Sequence, residues 1–169
     1  MIHEQPPDRV IHLLGGSMAT KYEQDFLLWT EEQAKHLQNR NFDMLDIEHL
    51  VDEVISMGKS EVRELESRMA VLLAHLIKWA WQPAMRGNSR SWEATIINQR
   101  NKIARLFRQM PSLKKKMEDP ELEFWISVWA DAKVDAASET GINYSVFPEE
   151  MPWSKEQILD QDWYPDSMV

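Results

Sequence analysis

The sequence predicts an all-α protein, a single-domain helical bundle of about five main helices around one long central helix. Three observations lead to this fold class. The stretch Ser60–Gln82 repeats apolar residues at i, i+3, i+4 and i+7, which is the spacing of a buried helix face. Glycine, proline and capping residues divide the rest of the chain into segments of helical length. No stretch alternates apolar and polar residues with the period of two that is typical of a strand.

Size and composition indicate one globular domain. A chain of 169 residues is long enough for one hydrophobic core, and 43% hydrophobic with 28% charged residues is a globular composition. Residues 1–17 end in Gly-Gly-Ser and are expected to form a loosely ordered leader. The all-helical domain is therefore predicted over residues 18–169.

Two helices are predicted before the central one. The first runs from about Thr20 to Asn39, and the second from about Met44 to Met57. Gly58 is expected to end the second helix, because glycine is favoured just past a helix C-terminus. The side chains expected on the apolar face of the second helix are Ile47, Leu50, Val51 and Val54.

The central helix is expected to begin after Ser60 and to end before Pro83. Ser60 supplies a side-chain oxygen for an N-cap, and Pro83 has no backbone N–H with which to continue a helix. At about 1.5 Å of rise per residue the helix is roughly 33 Å long, enough to cross a small domain. Residues 83–89 have the composition of a turn.

Two further main helices follow the turn. Ser89 or Ser91 can cap a helix that reaches about Met110. The pair Asp119-Pro120 predicts the start of the next helix, over about residues 120–139, because proline is favoured at the first helical position.

The C-terminal segment, residues 142–169, is expected to be mostly irregular. Gly141 closes the preceding helix, and three prolines interrupt the segment that follows. Ser154 and Gln157 have the spacing of a capping box, which predicts one short helix there.

Composition also restricts the environment and the chemistry. The chain has no cysteine, which excludes disulfides and thiolate metal sites and favours a reducing cytoplasm. His75 and Lys78 interrupt the most apolar stretch, so no segment reaches the roughly 18 apolar residues that span a bilayer. We therefore expect a cytoplasmic protein without a membrane partner.

Charge is unevenly distributed along the chain. The net charge is −9, yet residues 86–116 contain nine basic residues and one acidic residue, a net charge of +8. One interpretation is a basic helix that is neutralised by acidic helices within the molecule. The alternative is a patch for phosphate or an acidic partner, with nucleic acid the less favoured partner of so acidic a chain. The candidate patch residues are Arg86, Arg90, Arg100, Arg105, Arg108, Lys114, Lys115 and Lys116.

Arg68 and His75 are the conspicuous polar pair of the central helix. They are seven residues apart and therefore lie on the same side of it. This Arg-x6-His spacing resembles the signature of HEPN-type ribonucleases, which implies that His75 acts as general acid or base and that Arg68 stabilises phosphate charge. The alternative is a structural pair, with His75 hydrogen-bonded to a neighbour and Arg68 bonded to Glu64 or Glu61.

Two other motifs are interpreted as structural. Asp46, His49 and Glu53 share one side of the second helix and are metal-ligand types, but the outer polar face of an amphipathic helix explains them more simply. Gly58-Lys59-Ser60 matches the end of a phosphate-binding loop, yet Glu53 stands where that loop requires its first glycine. We predict no metal site and no cofactor.

Motifs along most of the chain resemble one protein family. They are Tyr22-x-x-Asp25-Phe26-x-x-Trp29, residues 64–79 (ELESRMAVLLAHLIKW), Gln82-Pro83, Ser91-Trp92 with Gln99-Arg100, and residues 147–159 (FPEEMPWSKEQIL). Together they resemble the bacterial family called domain of unknown function 29, over about residues 22–165. The resemblance implies a small, all-helical, cytoplasmic protein and assigns no activity. Residues 49–53 depart from the family's expected Asn-Leu-x-Glu-Glu pattern, which argues against a metal role for His49.

These observations favour a non-enzymatic interaction or accessory protein. We expect a protein partner or a homodimer, bound through the basic residues 86–116 or through the aromatic-rich tail. The alternative from another class is a metal-independent ribonuclease that uses Arg68 and His75.

Overall fold

The computed structural model describes residues 21–88 and 90–169, and the leader expected at residues 1–17 lies outside this part of the chain. The described residues form α-helices, short 3-10 helices and loops, with no β-strand among them. The α-helices are α1 Lys21–Gln24, α2 Phe26–Gln38, α3 Ile47–Trp81, α4 Arg90–Gln109, α5 Ser112–Met117, α6 Phe124–Thr140 and α7 Lys155–Leu159. The 3-10 helices are Phe42–Met44, Pro83–Asn88, Pro120–Leu122 and Tyr144–Val146. The all-α class and the long central helix are confirmed.

The chain divides into two compact units, and the division falls between Glu53 and Val54. The first unit, described from Lys21, contains α1, α2 and the first seven residues of α3. The second unit contains the rest of α3 and every later element. The single domain expected over residues 18–169 stays a prediction.

The second unit is organised around the apolar turns of α3. Leu65, Leu72 and Leu76 are completely buried there. They belong to one core cluster with side chains of α4, α6 and the C-terminal segment, among them Ile96, Ile103, Val128, Trp129, Ala132, Trp153 and Ile158. Burying each large apolar side chain contributes about 1.5–3 kcal/mol before entropic costs, so this part of α3 supplies much of the unit's stability.

The two helices predicted on either side of Gly58 form one continuous helix, so the prediction that Gly58 is a stop is wrong. Gly58 lies inside α3, and Gly141 is the glycine with a positive φ among the described residues. The helix continues because neighbours such as Met57, Lys59 and Glu61 are good helix formers, while an interior glycine costs only about 1 kcal/mol. Propensity alone therefore does not interrupt α3.

Replacing Gly58 with alanine is expected to raise the free energy of unfolding by about 0.5–1 kcal/mol. A Cβ at this position meets nothing within 4 Å, so the gain in helix propensity carries no steric cost. Chemical denaturation followed by tryptophan fluorescence measures the change.

Gly141→Ala is the matched control for this prediction. Gly141 ends α6 with a φ of +73°, where a side chain is strained, so alanine is expected to destabilise by about 1 kcal/mol. A loss of stability in both variants would contradict a helical Gly58.

Other helix boundaries differ from the sequence-based expectation in detail. Asp25 divides the predicted first helix, because its side chain accepts a hydrogen bond from Leu28 N at 3.0 Å and caps α2. Asp119 caps only the 3-10 helix Pro120–Leu122, and α6 begins later because Glu123 has a φ of +45°. The predicted capping box of Ser154 and Gln157 is confirmed at the start of α7.

Candidate functional site

The polar side chains that the sequence places on the second predicted helix lie together in the first unit. Asp46 Oδ2 accepts hydrogen bonds from His49 Nδ1 at 2.7 Å and from Trp29 Nε1 at 3.1 Å. Tyr22 stacks on the His49 ring, with centroids 4.1 Å apart, and donates from its hydroxyl to Glu53 Oε1 at 2.5 Å. The expectation that this face is the outer one is therefore wrong: it packs against α1 and α2.

These contacts also shift two ionisation equilibria. Burial opposes the ionisation of Asp46, but hydrogen bonds from His49 and Trp29 outweigh it and lower the pKa of that carboxyl. The hydrogen bond to Glu53 raises the pKa of the Tyr22 hydroxyl. Asp46, His49 and Glu53 thus serve as hydrogen-bond partners of the aromatic residues. Across residues 21–88 and 90–169, no three His, Asp or Glu side chains cluster closely enough to hold a metal ion.

The apolar side of the first unit is exposed instead. Of the side chains predicted to be buried on the second helix, Ile47, Val51 and Val54 are exposed and Leu50 is half-buried. Among residues 21–53, Trp29 is the one large apolar side chain that is buried. The exposed large apolar residues of the unit are Phe26, Leu27, Leu28, Leu37, Phe42, Met44, Ile47 and Val51, and we call them the first-unit apolar surface. Exposed apolar side chains that lie side by side, as Ile47 and Val51 do one turn apart on α3, are typical of an interaction site.

Acidic residues accompany the first-unit apolar surface. Residues 21–53 contain nine Asp or Glu and three Lys or Arg, a net charge of −6. One of the three cations, Lys21, already forms an ion pair with Glu32 at 2.7 Å. The unit therefore combines exposed apolar side chains with a negative field, which attracts basic partners.

Arg68 and His75 have separate partners within the second unit. Arg68 forms an ion pair with Glu64, one of the two carboxylates expected from the sequence. His75 donates from Nδ1 to the carbonyl oxygen of Val71 at 2.9 Å, and its Nε2 accepts from Lys78 Nζ at 3.1 Å. Lys78 is buried and also forms an ion pair with Glu139 of α6. The structure thus joins His75 to Lys78 and Glu139, not to Arg68.

The hydrogen bonds of His75 define its chemical state. An imidazole that donates from Nδ1 and accepts at Nε2 is the neutral form, and burial together with the Lys78 cation lowers its pKa. Both ring nitrogens are engaged, so neither is available to a substrate hydroxyl without breaking a bond. The ribonuclease alternative gains no support from this geometry.

Replacing His75 with glutamine is expected to make stability less dependent on pH. In the folded protein the pKa of His75 lies below its ordinary value of 6.5. On acidification the unfolded chain therefore takes up a proton at this residue before the folded protein does. Stability from the neutral imidazole is therefore present above that pKa and is lost as the pH falls below it. As the pH falls from about 7.5 to about 5.5, the free energy of unfolding should decrease less in His75→Gln than in the unaltered protein. Equal decreases in the two proteins would refute the linkage between His75 and stability.

The basic residues of segment 86–116 do not share one environment. Arg100 is only 1% exposed, its Nε donates to Ile158 O at 2.9 Å, and its guanidinium lies over the Tyr164 ring. Burial lowers the pKa of Arg100, and we correct its assignment to an exposed patch: it anchors the C-terminal segment because its long side chain reaches carbonyls there. Arg86 donates from Nε to Trp79 O at 2.8 Å. The exposed members of the predicted patch are Arg90, Arg105, Arg108, Lys114, Lys115 and Lys116.

Sequence reasoning missed two buried lysines, Lys78 and Lys133. In the sequence Lys78 interrupts an apolar stretch, and a lysine on the buried face of a helix already indicates a polar or charged partner. Lys133 lies on the same face of α6 as Trp125 and Trp129, at i+8 and i+4, and this spacing was the available signal.

Comparison with protein-family models matches residues 21–164 to the family described as Domain of unknown function DUF29. The match covers most of the chain and confirms the resemblance seen in its motifs. No curated protein and no solved structure matches the chain. Among the described helices, none is both long and apolar enough to cross a membrane.

Proposed function

We propose that this protein, which belongs to the DUF29 family, is a non-enzymatic interaction module of the cytoplasm. Its first unit docks a basic, amphipathic helical segment of a partner protein. The observation that carries the proposal is the first-unit apolar surface, which stands exposed on residues 21–53, a segment with a net charge of −6.

Apolar exposure supports the docking of an amphipathic helix. Ile47 and Val51 are one turn apart on α3 and both are exposed, as are Phe42 and Met44 just before them. An amphipathic helix binds by placing its own apolar stripe on such side chains. Covering an exposed large apolar side chain contributes about 1.5–3 kcal/mol, so two or three of them provide useful affinity.

Charge supports a basic partner over a second copy of the chain. Residues 21–53 carry a net charge of −6, so two copies of this segment repel one another, whereas a basic segment is attracted and steered to the surface. A homodimer through this surface is therefore the competing outcome. The same negative charge disfavours nucleic acid at the first unit.

The experiment uses two labelled model peptides of about 18 residues with the same leucine stripe, one with lysine and one with glutamate on the polar face. Fluorescence anisotropy measures their binding to the protein. We expect the lysine peptide to bind, the glutamate peptide to bind at least about 10-fold more weakly, and the affinity for the lysine peptide to fall with added salt.

Two results would overturn the proposal. One is equal binding of both peptides, or of neither. The other is a protein that is dimeric in analytical ultracentrifugation and becomes monomeric on substitution of Val51, which would identify a second copy as the occupant.

A further inference from the structure

A cavity of about 910 Å³ lies in the second unit between α6 and the segment that follows it. Trp125, Trp129 and Lys133 line it from α6, and Tyr144, Phe147 and Met151 are among the residues that line it from the following segment. Small-molecule sites have this size and this mostly apolar lining with a few polar groups. The cavity shares no residue with the first-unit apolar surface.

Lys133 is the distinctive group of this cavity. It is only 6% exposed, yet none of the ion pairs formed by the described residues involves it. Buried lysines are normally paired with a carboxylate, as Lys78 is with Glu139.

The contacts that Lys133 does make are weak. Its Nζ lies 3.4 Å from Pro148 O and 3.5 Å from Glu149 O, beyond the usual hydrogen-bond range. Those two carbonyls already accept from Trp129 Nε1 at 3.2 and 3.1 Å. The rings of Tyr144 and Trp129 lie 4.7 and 5.9 Å from Nζ and supply cation–π attraction. An ammonium has three donors, so capacity for an anionic acceptor remains.

One of the lining residues, Trp125, carries a buried donor without an acceptor. The Nε1 of Trp125 is buried and has no hydrogen-bond partner among the residues that the structure describes.

Glu149 and Glu150 restrict the charge of the ligand. Both line the cavity and both are exposed. Their carboxylates repel any anion, and the repulsion grows with the charge of the anion, so a molecule with several negative charges, such as a nucleotide, is disfavoured more than a single carboxylate that pairs with Lys133.

We propose that this cavity binds a small organic acid, one carboxylate on an aromatic or branched apolar body. The carboxylate pairs with Lys133, and the apolar body packs against Trp125, Trp129 and Tyr144. Recognition of a small molecule here is a property of the second unit and is independent of peptide docking at the first.

Isothermal titration calorimetry with indole-3-acetate and the neutral indole-3-acetamide tests the site, because the two probes differ in charge and little in shape. We expect the carboxylate to bind the unaltered protein at least about 10-fold more tightly than the amide. Adenosine monophosphate, the multiply charged probe, should not bind.

Lys133→Met should abolish the preference for the carboxylate, and Lys115→Met, at an exposed lysine, should leave it unchanged. The probe pair on the unaltered protein needs no variant, so a Lys133→Met protein that fails to fold does not prevent the test. Equal affinity for the two probes, no binding of either, or a preference that survives in folded Lys133→Met would overturn the proposal.

Discussion

Replacing Leu76 with alanine is expected to lower the free energy of unfolding by about 2–5 kcal/mol. Leu76 is completely buried in the core cluster of the second unit, among residues of α3, α4 and α6. The substitution removes apolar contacts and leaves a cavity that the surrounding helices fill only in part. Urea denaturation followed by tryptophan fluorescence measures the loss.

Leu27→Ala is the matched control, because it is the same substitution on a helix of the first unit. Leu27 is 69% exposed, so its replacement should change the free energy of unfolding by no more than about 0.5 kcal/mol. Similar losses in the two variants would contradict the assignment of the core to the apolar turns of α3.

The central helix could be predicted because its sequence is consistent at every level. Residues 65–80 combine helical spacing with apolar residues almost all round, and this pattern fits only a helix buried on most of its surface. The family resemblance was also readable from motifs, since the match spans residues 21–164.

The face that α3 buries in the first unit could not be predicted in the same way. Sequence reasoning assumes that apolar side chains face inward, which placed Ile47 and Val51 inside and Asp46 outside. In the structure, hydrogen bonds from Trp29 and His49 satisfy Asp46, and the apolar side remains exposed. An exposed apolar surface reverses the pattern on which burial predictions depend.

The candidate sites show a similar limit. Helical spacing correctly placed Arg68 and His75 on one side of α3. The hydrogen-bond partner of His75, however, is Lys78, and Lys78 is held in place by an ion pair with Glu139 of another helix. Likewise, no local pattern distinguishes Arg100, which reaches the carbonyl of Ile158, from its exposed basic neighbours. Contacts between distant segments decide both cases.

Placing a carboxylate at Val51 is expected to weaken docking of the lysine peptide at least about 10-fold, by 1.4 kcal/mol or more. Val51 lies in the middle of the exposed apolar positions of α3 and is 50% exposed, so Val51→Glu is compatible with folding. A glutamate there must lose water when an apolar stripe covers it, and this cost exceeds the attraction of the added charge to the peptide. Circular dichroism checks that the variant keeps its helix content.

The most direct test of the interaction function compares Val51→Glu with Val134→Glu in the same peptide titration. Val134 is 57% exposed on α6 of the second unit, so the two variants share residue type, helical context and added charge. We expect Val51→Glu to raise the Kd at least about 10-fold and Val134→Glu to change it less than about 2-fold. Equal changes of the Kd in the two variants, or an unchanged Kd in both, would contradict docking of the peptide at the first unit.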